Sequence, residues 1–194
     1  MTTFKKFLAV GVTSLMTLSG VGVATAATTA TPQTPSSHHS LTEHAVKVRS
    51  VHFKGTYKGT IAMLWSSSSV QATAVRGTGT GTLMGKSKIS GKGSATTAST
   101  CDPLSGNGVI VGGGSKLFVK VVSSSKTQAC AAGQTAPTQV TVTGVATVTN
   151  GTGKYKGAKG TLKVNGTFQI QSNKAGSSET DSFSATLAGV LKVR

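Results

Sequence analysis

The chain has 194 residues, of which 20 are lysine or arginine and four are aspartate or glutamate, for a formal net charge of +16. The four acids are Glu43, Asp102, Glu179 and Asp181. The length is enough for one domain with a core of its own. Because the lysines are spread along the chain and arginine and aromatic residues are scarce, the composition argues against a specific nucleic-acid reader.

The high positive charge has two other interpretations, and the sequence favours the first. The lysines lie on solvated strand faces and keep an exported protein soluble, or they bind weakly to anionic cell-envelope polymers.

The first 26 residues have the form of a secretory signal peptide. Lys5 and Lys6 precede an uncharged, largely apolar run at 8–24, and Ala24-Thr25-Ala26 has the small-x-small form of a cleavage site. The run contains several glycine, serine and threonine residues and is short for a membrane anchor. We therefore expect cleavage after Ala26 and a secreted, extracellular protein of bacterial type.

Residues 27–45 are rich in threonine, proline and serine, a composition that cannot form a core. We expect a flexible, disordered tail here, followed by an ordered domain at 46–194. Metal binding by His38, His39 and His44 would be weak and confined to the tail, so we predict no metal site and no cofactor.

From residue 46 onward the sequence predicts strands and no helix. Apolar and polar residues alternate with a period of two, and glycine-rich turns separate the runs. Glycines at every second position, such as Gly77, Gly79 and Gly81, suit strands that bend sharply in a small barrel. The predicted strands are 46–53, 60–65, 70–82, 83–93, 116–122, 139–148, 160–171 and 182–193, with a turn or bulge at 55–59, an edge strand at 109–111, and loops at 96–114 and 123–138.

This series of short strands predicts an all-β sandwich or barrel. The last strand runs almost to the final residue, which suits closure against an early strand. The alternate face of the strands carries threonine, lysine and glutamine, which excludes an outer-membrane barrel.

Cys101 and Cys130 are the two cysteines of the chain. An even number in an exported protein predicts one disulfide, here joining two long loops on either side of strand 116–122. The closed loop would contribute about 3–4 kcal/mol. A zinc site is the weaker alternative, because the spacing is wrong and no histidine follows Cys101.

The segment GTGKYKGAKG at 151–160 precedes the clearest strand of the chain. It lacks the spacing and the following helix of a phosphate-binding loop. With an offset of one residue, it resembles the G-(S/T)-G-aromatic-x-G-A-x-G turn that precedes a late strand in the allene oxide cyclase and dirigent group. The glycines of segment 77–93 also resemble those of bacterial secreted relatives of these barrels, and the likeness is loose over 46–194. The resemblance implies an antiparallel eight-stranded, calycin-like barrel with an interior pocket.

Two functions follow from these expectations. The first is a non-catalytic barrel that binds a small apolar ligand or acts as an extracellular interaction module, without specific nucleic-acid binding. Its ligand-binding residues would be Leu162, Val164, Phe168, Ile170, Phe183, Leu187 and Tyr155.

The alternative is a cyclase or isomerase of the allene oxide cyclase type that acts by confinement in the cavity. Its candidate polar groups are Tyr155, His52 and Glu179. His52 lies on the first strand, where it could face the interior, and the favoured interpretation is a partly buried, hydrogen-bonded histidine. We expect no acid to occupy an inward strand position. Because the outward faces are polar, we expect a monomer.

Overall fold

The computed structural model describes residues 47–123 and 126–194; the predicted signal peptide and tail lie outside these ranges. The described residues contain nine strands and a 3-10 turn at Gly153–Tyr155, and none of their helices is long and apolar enough to cross a membrane. The strands are β1 (Arg49–Trp65), β2 (Ser69–Gly81), β3 (Gly85–Thr96), β4 (Cys101–Gly112), β5 (Ser115–Val121), β6 (Gln128–Ala131), β7 (Thr138–Thr152), β8 (Lys159–Ile170) and β9 (Ser178–Val193).

The strands form one closed antiparallel barrel. Their order is β3-β2-β1-β9-β8-β7-β5-β4, and β3 also pairs with β4, which closes the sheet on itself. β6 is an additional short strand that pairs with β4 and β7. The prediction of an eight-stranded antiparallel barrel is therefore confirmed.

β6 completes the barrel wall where β5 ends. β5 pairs with β4 over Gly106–Gly112, and β6 pairs with β4 over Cys101–Pro103. Both strands are antiparallel to the same two neighbours, β4 and β7, so they run in the same direction in the same gap. Together they act as a single barrel strand with an interruption.

Three segments differ from the sequence-based expectation. Residues 101–112, predicted as loop with a short edge strand, form β4, because pairing along both of its edges outweighs the low strand propensity of its glycine and serine residues. Residues 55–59, predicted as a turn, lie inside β1. The predicted loop 123–138 contains β6.

The predicted disulfide is present between Cys101 and Cys130, whose Cα atoms are 4.0 Å apart. It does not join two loops, however. The two cysteines are directly opposite each other on the neighbouring strands β4 and β6. The bond therefore holds the short strand β6 in the barrel wall.

The side chains inside the barrel form two apolar clusters, one towards each end. We call the end with connections 82–84, 113–114 and 153–158 the closed end, and the end with connections 66–68, 97–100, 132–137 and 171–177 the open end. The larger cluster fills the closed half and includes Tyr57, Leu117, Leu162 and Leu191. The smaller cluster, at the open end, is built on Met63, Trp65, Val140 and Ile170.

Tyr155 closes one end of the barrel. Its side chain is fully buried, and its hydroxyl donates a hydrogen bond to the carbonyl oxygen of Thr82. Its ring packs edge-to-face against Phe53, with ring centroids 6.0 Å apart. The backbone N–H of Lys154 donates to Ser115 Oγ at 3.1 Å, so the three connections at this end are held together.

Candidate functional site

A cavity of about 260 Å³ lies between the two apolar clusters. We call it the interior cavity. Most of its lining residues are apolar or glycine, and the surface that they present to the cavity is almost wholly apolar. None of them is a histidine, cysteine, aspartate or glutamate. Its lining includes Ile61, Ile89, Val119, Val164, Phe168 and Phe183.

Glycines on β3 and β4 create the space. An eight-stranded barrel is just wide enough for its own side chains to fill it. In this barrel Gly91 is opposite Gly108, and Gly93 is opposite Gly106. These four positions line the cavity without occupying it.

The same glycines are required by the close approach of the two strands. A Cβ atom at Gly106 would lie 2.6 Å from the carbonyl oxygen of Lys92, and one at Gly93 would lie 2.6 Å from that of Ser105. Both distances are shorter than a carbon–oxygen contact allows. The cavity therefore follows from the tight pairing of β3 with β4.

A second cavity, of about 300 Å³, lies at the open end. We call it the mouth cavity. It includes residues of the β3–β4 connection and of the segment after β6, and its rim is polar. Both cavities are lined by Met63, Val70, Ala95, Ala129 and Phe168. These shared residues form the boundary between the mouth and the interior.

Trp65, the single tryptophan of the chain, lines the mouth cavity. Its Nε1–H donates to Glu179 Oε1 at 2.9 Å. The other carboxylate oxygen of Glu179 accepts the backbone N–H groups of Gln171 and Ser172 at 2.8 and 3.0 Å. The carboxylate thus joins the end of β1 to the connection between β8 and β9.

Asp102 lies at the start of β4, is 7% exposed, and also lines the mouth cavity. Its carboxylate accepts hydrogen bonds from Thr96 Oγ1 at 3.0 Å and from the N–H and Oγ of Ser99 at 3.2 and 3.3 Å. These bonds hold the β3–β4 connection in place. The role of this carboxylate is therefore structural.

Asp181 is on β9, directly opposite the inward residue Ile61. Its Oδ2 atom is buried and has no hydrogen-bond partner. Burial raises the pKa of this carboxyl group above its usual value, and the nearby charge of Glu179 raises it further. The expectation that no acid occupies an inward position is therefore wrong, because the register of β9 places Asp181 on the face that points into the barrel.

The predicted ligand-binding residues are divided among three environments. Val164, Phe183 and Leu187 line the interior cavity, Phe168 lines both cavities, and Ile170 lines the mouth cavity. Leu162 and Tyr155 belong to the closed-end core and line neither cavity. Ligand binding by these residues stays a prediction.

The three polar groups named for a cyclase lie outside both cavities. His52 is exposed on the outer face of β1 opposite Val190, so the interpretation of a partly buried histidine at an inward position is wrong. Tyr155 and Glu179 are engaged in the contacts described above and are not among the lining residues. Among the described residues, no three histidine, cysteine or acidic side chains come close enough to hold a metal ion.

Sequence reasoning missed the glycine-lined wall and the mouth. Gly91 and Gly93, and likewise Gly106 and Gly108, are spaced two apart, so each pair lies on one face of a strand. This spacing is the available signal, but residues 106 and 108 lie in a segment for which the low strand propensity predicts a loop. The role of Trp65 at the mouth had no signal in the sequence.

Comparisons of the chain with known protein families, with curated proteins and with solved structures found no match. The kinship with the allene oxide cyclase and dirigent group therefore stays a prediction that rests on residues 151–160 and the loose likeness of the rest of the domain.

Proposed function

We propose that this protein is a secreted, non-catalytic barrel that binds a small apolar ligand in the interior cavity. The observation that carries the proposal is the cavity itself, about 260 Å³ in volume and lined by apolar side chains. Apolar cavities of about 150 Å³ stay dry and take up benzene. The interior cavity is larger and its surface is likewise apolar, although it is not fully enclosed, so it suits a compact hydrocarbon or a short aliphatic chain. Each buried methylene of such a ligand contributes about 0.8 kcal/mol.

The mouth cavity supports the proposal because it provides a route of entry. It shares five lining residues with the interior cavity, including Met63 and Phe168. Met63 has a flexible side chain and Phe168 a planar one. A change of rotamer at either residue would widen the passage between the two cavities. The polar rim would remain in contact with water while the ligand body is buried.

Ligand binding is testable through Trp65, whose fluorescence reports on the mouth without a label. The full chain is titrated with naphthalene and with a series of linear alcohols. We expect a saturable fluorescence change for the probes that fit, and an affinity that rises with chain length until the cavity is full.

A variant that fills the cavity provides the comparison. Ala146 lines the interior cavity and is 2% exposed, so Ala146→Leu should weaken binding by about tenfold or more while the barrel stays folded. Thr147→Val, at the neighbouring exposed position, is the matched control. Absence of binding in the unmodified chain, or equal binding by Ala146→Leu, would contradict the proposal; Ala185→Leu is a second filling variant if Ala146→Leu does not fold.

Secretion and a monomeric state belong to the same proposal. The predicted signal peptide supports export, and the Cys101–Cys130 disulfide suits an oxidising compartment. Amino-terminal sequencing of protein collected from the medium should begin at Ala27. Sedimentation at low protein concentration should give the mass of one chain.

A further inference from the structure

The closed end of the barrel is surrounded by cations. We call this surface the basic cap. Its members are exposed and lie on the strand ends and the connection at that end: Arg49, Lys86, Lys116, Lys154, Lys156, Lys159, Lys192 and Arg194.

Direct contacts show that the cap is one surface. The Arg49 guanidinium donates to the carbonyl oxygen of Lys154, and the Lys154 ammonium donates to that of Leu83 at 3.4 Å. The backbone N–H of Arg194 donates to the carbonyl oxygen of Lys156 at 3.0 Å. Both chain ends of the barrel and two of its connections therefore meet in the cap.

The acids of the described residues lie at the opposite end. Asp102 begins β4, and Glu179 and Asp181 are in the first residues of β9, all towards the open end. Among the described residues, the basic cap therefore has no neighbouring acidic side chain, a feature that the even spacing of lysines in the sequence conceals. This separation does not depend on the proposed ligand.

The shape of the cap favours a planar anionic partner. Its cations come from several strands around the barrel and form a ring, whereas a linear polymer is matched by a row or a groove. Leu83 is at the tip of the β2–β3 turn, beside Lys154, and is 43% exposed. An exposed apolar side chain beside an ammonium group suits a lipid interface, where the apolar side chain enters between headgroups and the cations bind phosphates.

We propose that the basic cap binds the surface of an anionic lipid bilayer and that the mouth of the barrel faces away from it. Tyr155, which lies between the cap residues Lys154 and Lys156, is fully buried and offers no stacking surface to a nucleic acid. Lysines predominate in the cap, and each supplies a compact charge for a phosphate group. A bound barrel would keep its mouth in solution.

Vesicle co-sedimentation tests this proposal. The protein exported by cells that express the full chain is mixed, at low ionic strength, with vesicles of phosphatidylglycerol and phosphatidylcholine or of phosphatidylcholine alone. We expect binding to the anionic vesicles only. The cap variant, in which Lys86, Lys116, Lys156 and Lys192 are each replaced by glutamine, should bind at least tenfold more weakly, since each lysine near an anionic surface contributes about fivefold.

A wall variant with the same loss of charge is the matched control. Lys58, Lys92, Lys120 and Lys174 are exposed and lie outside the cap, so their replacement by glutamine should change vesicle affinity by about threefold or less. Equal losses in the cap and wall variants would show a response to net charge alone and would overturn the proposal. Failure of the unmodified protein to bind anionic vesicles would also overturn it.

Leu83→Asn distinguishes a bilayer from a soluble polyanion. Leu83 has a φ of 59°, a left-handed conformation that asparagine adopts readily, so this variant should fold. It should weaken vesicle binding several-fold and leave binding to soluble polyphosphate unchanged. If vesicle binding is unchanged and polyphosphate binds equally well, the partner is a polymer and the bilayer proposal is wrong.

Discussion

The hydroxyl of Thr127 accepts a hydrogen bond from the N–H of Val145 at 2.8 Å and donates one to the carbonyl oxygen of the same residue at 2.9 Å. One side chain thus makes the two bonds that a neighbouring strand would make. Val145 lies in the part of β7 between the end of its pairing with β5 and the start of its pairing with β6. Thr127 therefore supplies the backbone hydrogen bonds of Val145 at the interruption between β5 and β6.

Replacing Thr127 with valine should destabilise the barrel by about 1–3 kcal/mol. Valine has the same shape but cannot satisfy the two backbone groups of Val145, and residue 127 is only 1% exposed. Urea unfolding followed by circular dichroism measures the change.

Two further variants test the reason for this effect. Thr147→Val, on the exposed face of β7, should change stability by about 0.5 kcal/mol or less. Gly144→Ala should destabilise the barrel because Gly144 has a φ of +146° and a Cβ atom there would lie 2.4 Å from Thr127 Cα. An equal effect of Thr127→Val and Thr147→Val would argue against the bridging role.

We expect the barrel to lose stability at alkaline pH because of the two tyrosines of the chain. Burial raises the pKa of Tyr155 to about 12, with the nearby Tyr57 adding to the effect, and burial also raises the pKa of Tyr57. The unfolded chain releases these protons near pH 10.0, before the folded barrel does. The stabilising contribution is therefore complete below pH 10 and declines as the pH rises from about 10 towards 12.

Tyrosinate absorbance measures this directly, because Tyr57 and Tyr155 are the only tyrosines. In the folded protein the absorbance should rise at higher pH than in urea-unfolded protein. Tyr155→Phe should remove the part of the rise that occurs at the highest pH. Identical titration curves for folded and unfolded protein would contradict the prediction.

Asp181→Asn should stabilise the protein at neutral pH by roughly 0.5–1 kcal/mol. The raised pKa of Asp181 means that its ionised form opposes folding, through burial first and repulsion from Glu179 second. The gain should disappear at acidic pH, where the carboxyl group is protonated in the folded and unfolded states alike. Thermal unfolding at neutral and acidic pH measures the difference.

Asp102→Asn is the matched comparison and should have the opposite sign. The carboxylate of Asp102 accepts bonds from Thr96 and Ser99, so its loss should cost about 1.5–3 kcal/mol. Stabilisation by both substitutions would show that general charge effects, and not these contacts, decide the outcome.

Removal of the disulfide should destabilise the barrel by about 3–4 kcal/mol, the value for a loop of this length. The two cysteines are 29 residues apart. In the double variant Cys101→Ser, Cys130→Ser, amide exchange should increase most at β6, because only three residue pairs join it to β4. Uniform exchange increases around the whole barrel would show that β6 does not open separately.

The alternation of residue types predicts most of the strands, but it predicts only residues 109–111 of β4 and no part of β6. Strand 160–171 and the last strand were predicted to within a few residues, because each buries one face and leaves the other in water. β4 contains Ser105, Gly106, Asn107 and Gly108, which have low strand propensity. Pairing with β3 and β5, which is set by the whole barrel, makes this segment a strand.

Alternation of residue types also predicted part of the candidate site. Val164, Phe183 and Leu187 have the inward orientation that alternation predicts, and they line the cavity. Leu162 has the same orientation but lies in the closed-end core. Period-two alternation gives the face of a strand, whereas the position along the barrel axis depends on the tilt and register of the neighbouring strands.

By itself, the sequence determined the all-β class, the faces of the regular strands and the pairing of the two cysteines, because these depend on local alternation and on having a single possible partner. Only the tertiary structure decided where the barrel is empty and how its charge is arranged. The cavity requires Gly91 and Gly93 to meet Gly108 and Gly106 across two strands. Likewise, lysines far apart in the chain gather at one end because antiparallel closure brings alternate strand ends together.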